Sequence, residues 1–154
     1  MDIDLKKFFT GVRLLLVPDL QEKGLQLEIE LDPSVPRIVC DPFRLEQVFI
    51  NLAQNSLRYT DTGGIRISSR PEGDWIVFEV ADSGCGIAKE HQNRIFERFF
   101  VADPARNKNG SGSGLGLAIV KHIVLLHQGE ISVQSALGDG CTFTIKIPRL
   151  HGKD

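Results

Sequence analysis

The chain has 154 residues, 42% of them apolar and 25% charged, with a net charge of −2. That length suits one domain around one core, and the near-balanced charge gives no reason to expect nucleic-acid binding. No apolar run reaches the roughly 18 residues of a membrane-spanning helix, no secretory leader precedes the first helical pattern, and Cys40, Cys85 and Cys141 form no CxxC pair, so a reducing cytosolic setting is expected rather than a zinc site or a disulfide framework.

The opening MDIDL reads as an internal boundary, so the chain is expected to be a piece of something longer. Asp4 is placed to cap a helix carrying Leu5, Phe8, Phe9, Val12, Leu15, Leu16 and Leu20 at helical spacing. Pro18 is expected to kink or end that helix, and Lys23-Gly24 to stop it. LQLEIEL alternates with period two and predicts a half-buried strand, and PRIVC predicts a second, short one. Asp41-Pro42 pairs a capping carboxylate with proline at the first helical position, which predicts a helix running to about Tyr59. Asp61-Thr62-Gly63-Gly64 is a turn, IRISSR and WIVFEVAD a strand pair, and Glu90 to Phe96 a short helix. A polar, glycine-rich stretch runs from Val101 to Gly114, and a long helix from about Gly114 to Gln128 with Gly129 as its stop. EISVQSA and CTFTIKIP are two further strands joined by Leu137-Gly138-Asp139-Gly140. The expected fold is an α/β (α+β) two-layer sandwich: a mixed, mostly antiparallel sheet of about five strands packed on about three helices, one domain over residues 1–150 with a loose tail over 151–154.

Four segments carry candidate chemistry. In NKNGSGSGLGLAIVKHIVLLHQG, Gly110, Gly112, Gly114 and Gly116 fall at every second position immediately before an apolar helix. A helix N-terminus presents N–H donors and a partial positive charge, and small residues let an anion approach, so a phosphate cradle is one reading and a linker into a core helix the other. Neither GxxxxGK[ST] nor GxGxxG is present. On the Asp41 helix, Leu45, Val48, Phe49, Leu52 and Ser56 form the core side, while Arg44, Gln47, Asn51, Asn55 and Arg58 line an adjacent face. That face is either solvated or a site. Asparagine is a mediocre helix former, and its amide oxygen suits Mg²⁺, which takes one or two protein ligands beside water and phosphate oxygens. In EVADSGCGIA, Asp82 leaves a strand into a Gly-x-Gly turn, as an Asx turn or as a carboxylate that accepts from an amino group. GDGCTF repeats the glycine spacing and is followed by Thr142 in a strand.

DPFRLEQVFINLAQNSLRYT, DSGCG, FERFF, GSGSGLGLAIVKHI and GDGCTFTIKIP occur in that order. Together they resemble the N box, first glycine box, F box, second glycine box and third glycine box of the sensor histidine kinases, over nearly the whole chain. The resemblance implies the Bergerat ATP-binding fold, shared with type II topoisomerases, heat-shock chaperone ATPases and mismatch-repair ATPases. It implies that Asn55 coordinates Mg²⁺, that Asn51 supports phosphates or metal, and that Arg58, where the family more often has lysine, reaches phosphate oxygens. Tyr59 would lie against the adenine and Asp82 would accept its amino proton. Gly84, Gly86 and Ile87 would shape the turn, and Thr142 would support the base through water. Gly112, Gly114, Leu115, Gly116 and Leu117 would meet the phosphates, and residues 96–112 would form an ATP lid tied by Phe96, Phe99 and Phe100 to a neighbouring helical domain.

Hydrolysing relatives carry a glutamate one turn before the metal asparagine, where this chain has Asn51, so little hydrolysis is expected; Glu46 is a turn further off on another azimuth. The family's acceptor histidine precedes an acidic residue in a helical hairpin, a context that His91, His122, His127 and His151 all lack. His122 and His127 read simply as polar positions on a core helix. The implied activity is transfer of the ATP γ-phosphate to a histidine in a dimerisation domain outside this chain, for relay to a response-regulator aspartate. The implied partners are therefore that domain and a receiver domain, with no nucleic acid or membrane contact and an isolated domain that is monomeric and cytoplasmic. A serine kinase of the anti-sigma type and a hydrolytic ATPase share the same pocket and are the competing readings. Cys85 and Cys141 flank the implied adenine site as small fillers, or as thiols open to redox or covalent chemistry.

Overall fold

The apolar stripes and alternating strands described above have one way to bury both: helices laid on one face of a sheet. A computed structural model of the chain describes residues 1–98, 100 and 115–149. Along the chain run β1 (Asp2–Asp4), α1 (Leu5–Lys23), β2 (Gln26–Leu31), β3 (Arg37–Val39), α2 (Pro42–Tyr59), β4 (Gly64–Glu72), β5 (Trp75–Asp82), α3 (Lys89–Gln92), α4 (Gly116–Leu126), β6 (Glu130–Ser135) and β7 (Cys141–Pro148). Five strands form the main sheet in the order β2-β4-β5-β7-β6. β2 runs parallel to β4, and every other neighbouring pair is antiparallel.

The inward face of the sheet is read directly from the strand periodicity. Cys141, Phe143, Ile145 and Ile147 alternate along β7 as buried residues, and Ile65 and Ile67 do the same on β4. α1, α2 and α4 close over this face with Leu5, Phe9, Val12 and Leu16, with Leu45, Phe49 and Leu52, and with Val120, Ile123 and Val124. Phe49 is the hub, its ring centroid 4.9 Å from Phe9 and 5.2 Å from Phe78, both edge-to-face. The opposite face carries ion pairs, among them Arg70–Glu79 at 3.0 Å and Lys146–Glu72 at 3.3 Å.

The caps on α1 and α2 are as expected. Asp4 accepts from Lys7 N–H at 3.1 Å, and Asp41 accepts from Phe43 N–H at 3.1 Å. Four expectations change. Pro18 does not end α1, which continues to Lys23 because Leu16 and Leu20 on either side of it are both buried. The segment expected as a helix to Phe96 is helical only to Gln92. Beyond it, Arg94 N–H donates to His91 O and Glu97 N–H to Arg94 O, each at 2.9 Å, as successive tight turns. α4 is stopped by Gln128, not Gly129: Gln128 has φ 61°, and Gly129 N–H donates to Val124 O at 2.9 Å. Gly129 is needed for room instead, since a Cβ there would collide with the Lys146 carbonyl oxygen of β7. Finally, Asp2–Asp4 was not expected as a strand, yet it pairs antiparallel with β3 in a separate two-stranded sheet. Among the described residues no helix is long and apolar enough to cross a membrane.

Candidate functional site

β5 and β7 end side by side, and the last pair in their register is Asp82 with Cys141. Beyond that pair both chains turn sharply, and the turns interlock. Asp82 Oδ1 accepts from Gly84 N–H at 2.9 Å, closing an Asx turn, and from Cys141 N–H at 3.2 Å. Gly138 N–H donates to Cys85 O at 2.8 Å, and Ile87 N–H donates to Ser135 Oγ at 2.7 Å. Ser135 Oγ in turn donates to Gly140 O at 2.7 Å. Gln92 Nε2 reaches back from α3 to Ile87 O and Ser135 O, at 2.9 and 2.8 Å. Two glycines are required here: Gly86 at φ 79° and Gly140 at φ 78°. A Cβ on Gly86 would strike the Ala136 carbonyl oxygen, and one on Gly140 the Asp82 carbonyl oxygen. The first and third glycine segments thus form a single knot around one carboxylate.

The floor of the knot is the end of α2. Cys85 N–H donates to Tyr59 O at 3.0 Å, and a Cβ on Gly84 would lie 2.7 Å from Thr60 Oγ1. Ser56 and Thr60 are completely buried, and neither hydroxyl makes a hydrogen bond within the described residues. Such buried, unpaired hydroxyls are rare. Burial pushes the Asp82 carboxyl above the usual aspartate range, opposed by the Gly84 N–H, the Ser56 hydroxyl and the Cys141 N–H. Ser56 Oγ lies near enough to favour the charged carboxylate but outside hydrogen-bond geometry.

α4 and α2 supply the second half. Asn51 and Asn55, one turn apart and half-buried, share one face of α2. A Cβ on Gly116 would stand 3.8 Å from Asn51 Cγ, in ordinary contact, so the second glycine segment meets the asparagine face. α1 and α2 have Asp4 and Asp41 as side-chain caps, whereas α4 starts on Leu115, whose apolar side chain cannot cap it. Arg58 lies at the C-terminal end of α2, its Cζ 5.9 Å from the centroid of the Tyr59 ring.

The structure does not bring all the predicted residues together. Asp82, Gly84, Gly86, Ile87 and Tyr59 come together at the knot, and Gly116 meets Asn51 at the α2–α4 junction, with Asn55 one turn along α2 and Leu115 and Leu117 flanking Gly116 in the chain. Thr142 is not brought in. It pairs with Ala81, one residue off the Asp82–Cys141 pair, and the pleat turns it to the other face of the sheet. The β7 group that reaches the carboxylate is the Cys141 N–H. Gly112, Gly114, Phe99, His151 and most of the expected lid over 96–112 lie outside the described residues. Phe96 and Phe100 have partners within this chain. Phe96 stands edge-on to Phe143 at 6.2 Å, and Phe100 lies 4.6 Å from the Arg94 guanidinium and 5.6 Å from the His91 ring. Cys141 and Cys40 are buried thiols, pushed up by burial to about 12 and about 11, and are inert fillers; Cys85 is exposed. Sequence reasoning missed Ser135, Gln92 and Thr60. Ser56 carried a signal, a hydroxyl within the apolar stripe of α2.

The sequence was compared with known families. The profile of the histidine kinase-, DNA gyrase B- and HSP90-like ATPases matches residues 40–151. The chain belongs to this family. Within it, the sensor-like histidine kinase SenX3 of Mycobacterium tuberculosis is 45% identical over 126 residues, which cover 80% of this chain and 31% of SenX3. The structure of full-length ShkA in complex with AMPPNP matches with a TM-score of 0.86 at 30% identity, over 99% of this chain and 31% of that one. The histidine kinase ThkA, solved in complex with the response regulator protein TrrA, matches with a TM-score of 0.79 at 27% identity, over 100% of this chain and 43% of that one. The fold of this family member is thus that of a histidine kinase catalytic domain, and the chain spans about a third of SenX3.

Proposed function

We propose that this chain is the part of a two-component sensor kinase that binds ATP and donates its γ-phosphoryl group to a histidine on a separate helical domain, for relay to a response-regulator aspartate. The observation that carries this is the Asp82 knot. The carboxylate is fixed by two backbone donors on one oxygen and lies near two buried, unpaired hydroxyls, Ser56 and Thr60. That donor and acceptor set fits the amino edge of adenine. Asp82 accepts the exocyclic amino proton, and Ser56 and Thr60 hold water at the ring edge. Tyr59, Gly84, Gly86 and Ile87 bound the base.

At the other end, Gly112, Gly114, Leu115, Gly116 and Leu117, at and before the start of α4, would meet the phosphate oxygens through backbone N–H groups. Arg58 adds a fixed positive charge, and Asn51 steadies the phosphate side of α2. Asn55 is the protein ligand for Mg²⁺. A site made by one amide, water and phosphate oxygens suits Mg²⁺, which takes few protein ligands. The ion, when bound, supplies charge compensation for the triphosphate. Asn51 cannot take a proton from water at neutral pH, and Glu46 lies five residues before it, about 140° around the helix, so transfer is favoured over hydrolysis.

Isothermal titration with a non-hydrolysable ATP analogue and Mg²⁺ tests the binding. A saturable heat that disappears in Asp82→Ala is expected, and an unchanged titration in that variant would refute the reading. The donor role is tested with labelled ATP: no label on the chain alone, and acid-labile label on an added histidine-bearing dimerisation domain. An ATPase rate abolished by Glu46→Ala would favour the hydrolytic reading instead.

A further inference from the structure

α2 and α4 pack together through their core faces, and two contacts near the ends of that packing stand out, the second with a chemical signature of its own. Asp41 caps α2 by accepting from Phe43 and Arg44 N–H groups at 3.1 and 3.3 Å. In a capping box the third helical residue returns the bond by accepting the N–H of the cap residue itself. Here that third residue is Arg44, which has no acceptor. The Asp41 N–H is taken instead by His127 Nε2, 3.1 Å away, just beyond the C-terminal end of α4. His127 Nδ1 lies 3.0 Å from Ile123 O, one turn back in its own helix. A backbone N–H can only donate and a carbonyl can only accept. Together they select the Nδ1–H tautomer, with Nε2 as the acceptor.

The other meeting point is Gly116 against Asn51. From Asp41 to Asn51 along α2 is about 15 Å, and from Gly116 to His127 along α4 about 16 Å, at about 1.5 Å per residue. The two antiparallel helices are therefore pinned at matching intervals. One pin is the His127 bond, and the other is the junction where the phosphate donors face the asparagines. A one-residue slip of α4 would move those donors by about 1.5 Å, enough to break a hydrogen bond.

We propose that His127 is a positioning residue for the phosphate half of the nucleotide site: its Nδ1–H imidazole completes the N-terminal cap of α2 from α4 and so fixes the axial register of the two helices. The inference rests on the nucleotide-binding reading above and extends it to a residue about three turns from the junction. It also requires that the adenine half, held by Asp82, be indifferent to His127.

The test compares affinities for a non-hydrolysable ATP analogue and for adenosine in the 154-residue chain, as wild type, His127→Gln and His127→Phe. Gln keeps an acceptor for the Asp41 N–H, and Phe keeps the ring shape without it. His127→Phe is expected to lower the analogue-to-adenosine affinity ratio by about three- to tenfold, the worth of one neutral hydrogen bond, while His127→Gln retains the ratio. A Phe variant with the wild-type ratio, or a Gln variant that falls as far as Phe, overturns the proposal. The ring carbon and nitrogen chemical shifts of His127 give a readout independent of variant folding: the Nδ1–H tautomer is expected, and the Nε2–H tautomer overturns the proposal. If wild type binds neither ligand, it is the nucleotide reading that fails, and the tautomer still reports on the pin.

Discussion

Asp82 holds a cost and a use in the same atoms. Its carboxyl is pushed above the usual aspartate range chiefly by burial. A carboxyl whose folded pKa exceeds its unfolded value costs stability wherever it is ionised in the fold, and that cost is relieved as pH falls through the folded pKa. Asp82→Asn is therefore expected to raise the melting temperature of the ligand-free chain at neutral pH and to abolish nucleotide binding. The gain should shrink as the pH falls through the raised pKa of the wild-type Asp82 carboxyl, where the folded chain takes up its proton. Melting curves across that range, with and without nucleotide, check both halves, and a variant that melts lower than wild type at neutral pH contradicts the burial account. Wild-type affinity for nucleotide should also weaken as acid protonates Asp82, since a neutral carboxyl presents a poorer acceptor to the adenine amino group. Gln128 is the complementary case, a left-handed residue with no functional claim on it. Gln128→Gly should stabilise the fold by about 1 kcal/mol, read as a rise in the denaturation midpoint.

At the level of elements, what could be read in advance was whatever its own residues decide. α2 was legible from Asp41-Pro42 to Tyr59 because cap, proline and apolar stripe are all local signals. β1 was not, since Asp-Ile-Asp becomes a strand only because β3 lies beside it. Thr142 was misplaced for a related reason. The face a residue takes in a sheet depends on register, and a shift of one position exchanges Thr142 for Cys141. The Asp82, Gly84 and Gly86 turn was visible as a pattern, but Ser135, Gln92 and His127 act across long sequence separations and leave no local mark. The same dependence shows in the core, where Phe49 joins α2 to Phe9 of α1 and Phe78 of β5. Phe49→Ala should cost about 3–5 kcal/mol by denaturant unfolding, with one cooperative transition retained.

For the molecule as a whole, the proposed function links ligand and fold through two half-sites, one on the β5–β7 knot and one on the α2–α4 junction. A nucleotide spanning both binds only the folded chain, so at about one hundred times its dissociation constant it should add about 2.7 kcal/mol to stability. A thermal shift with the ATP analogue that is absent in Asp82→Ala checks this. The path of the backbone has a consequence for where such binding registers. The chain departs the sheet at Asp82 and returns at Cys141, its own cross-strand partner. The turns that leave from Asp82 and return to Cys141 are tied at this one pair, so a change in them need not unzip the β5–β7 ladder. Amide hydrogen exchange should accordingly stay slow and ligand-independent along Ile76 to Val80 and Phe143 to Ile147, with the nucleotide-dependent slowing gathered in the stretch outside them.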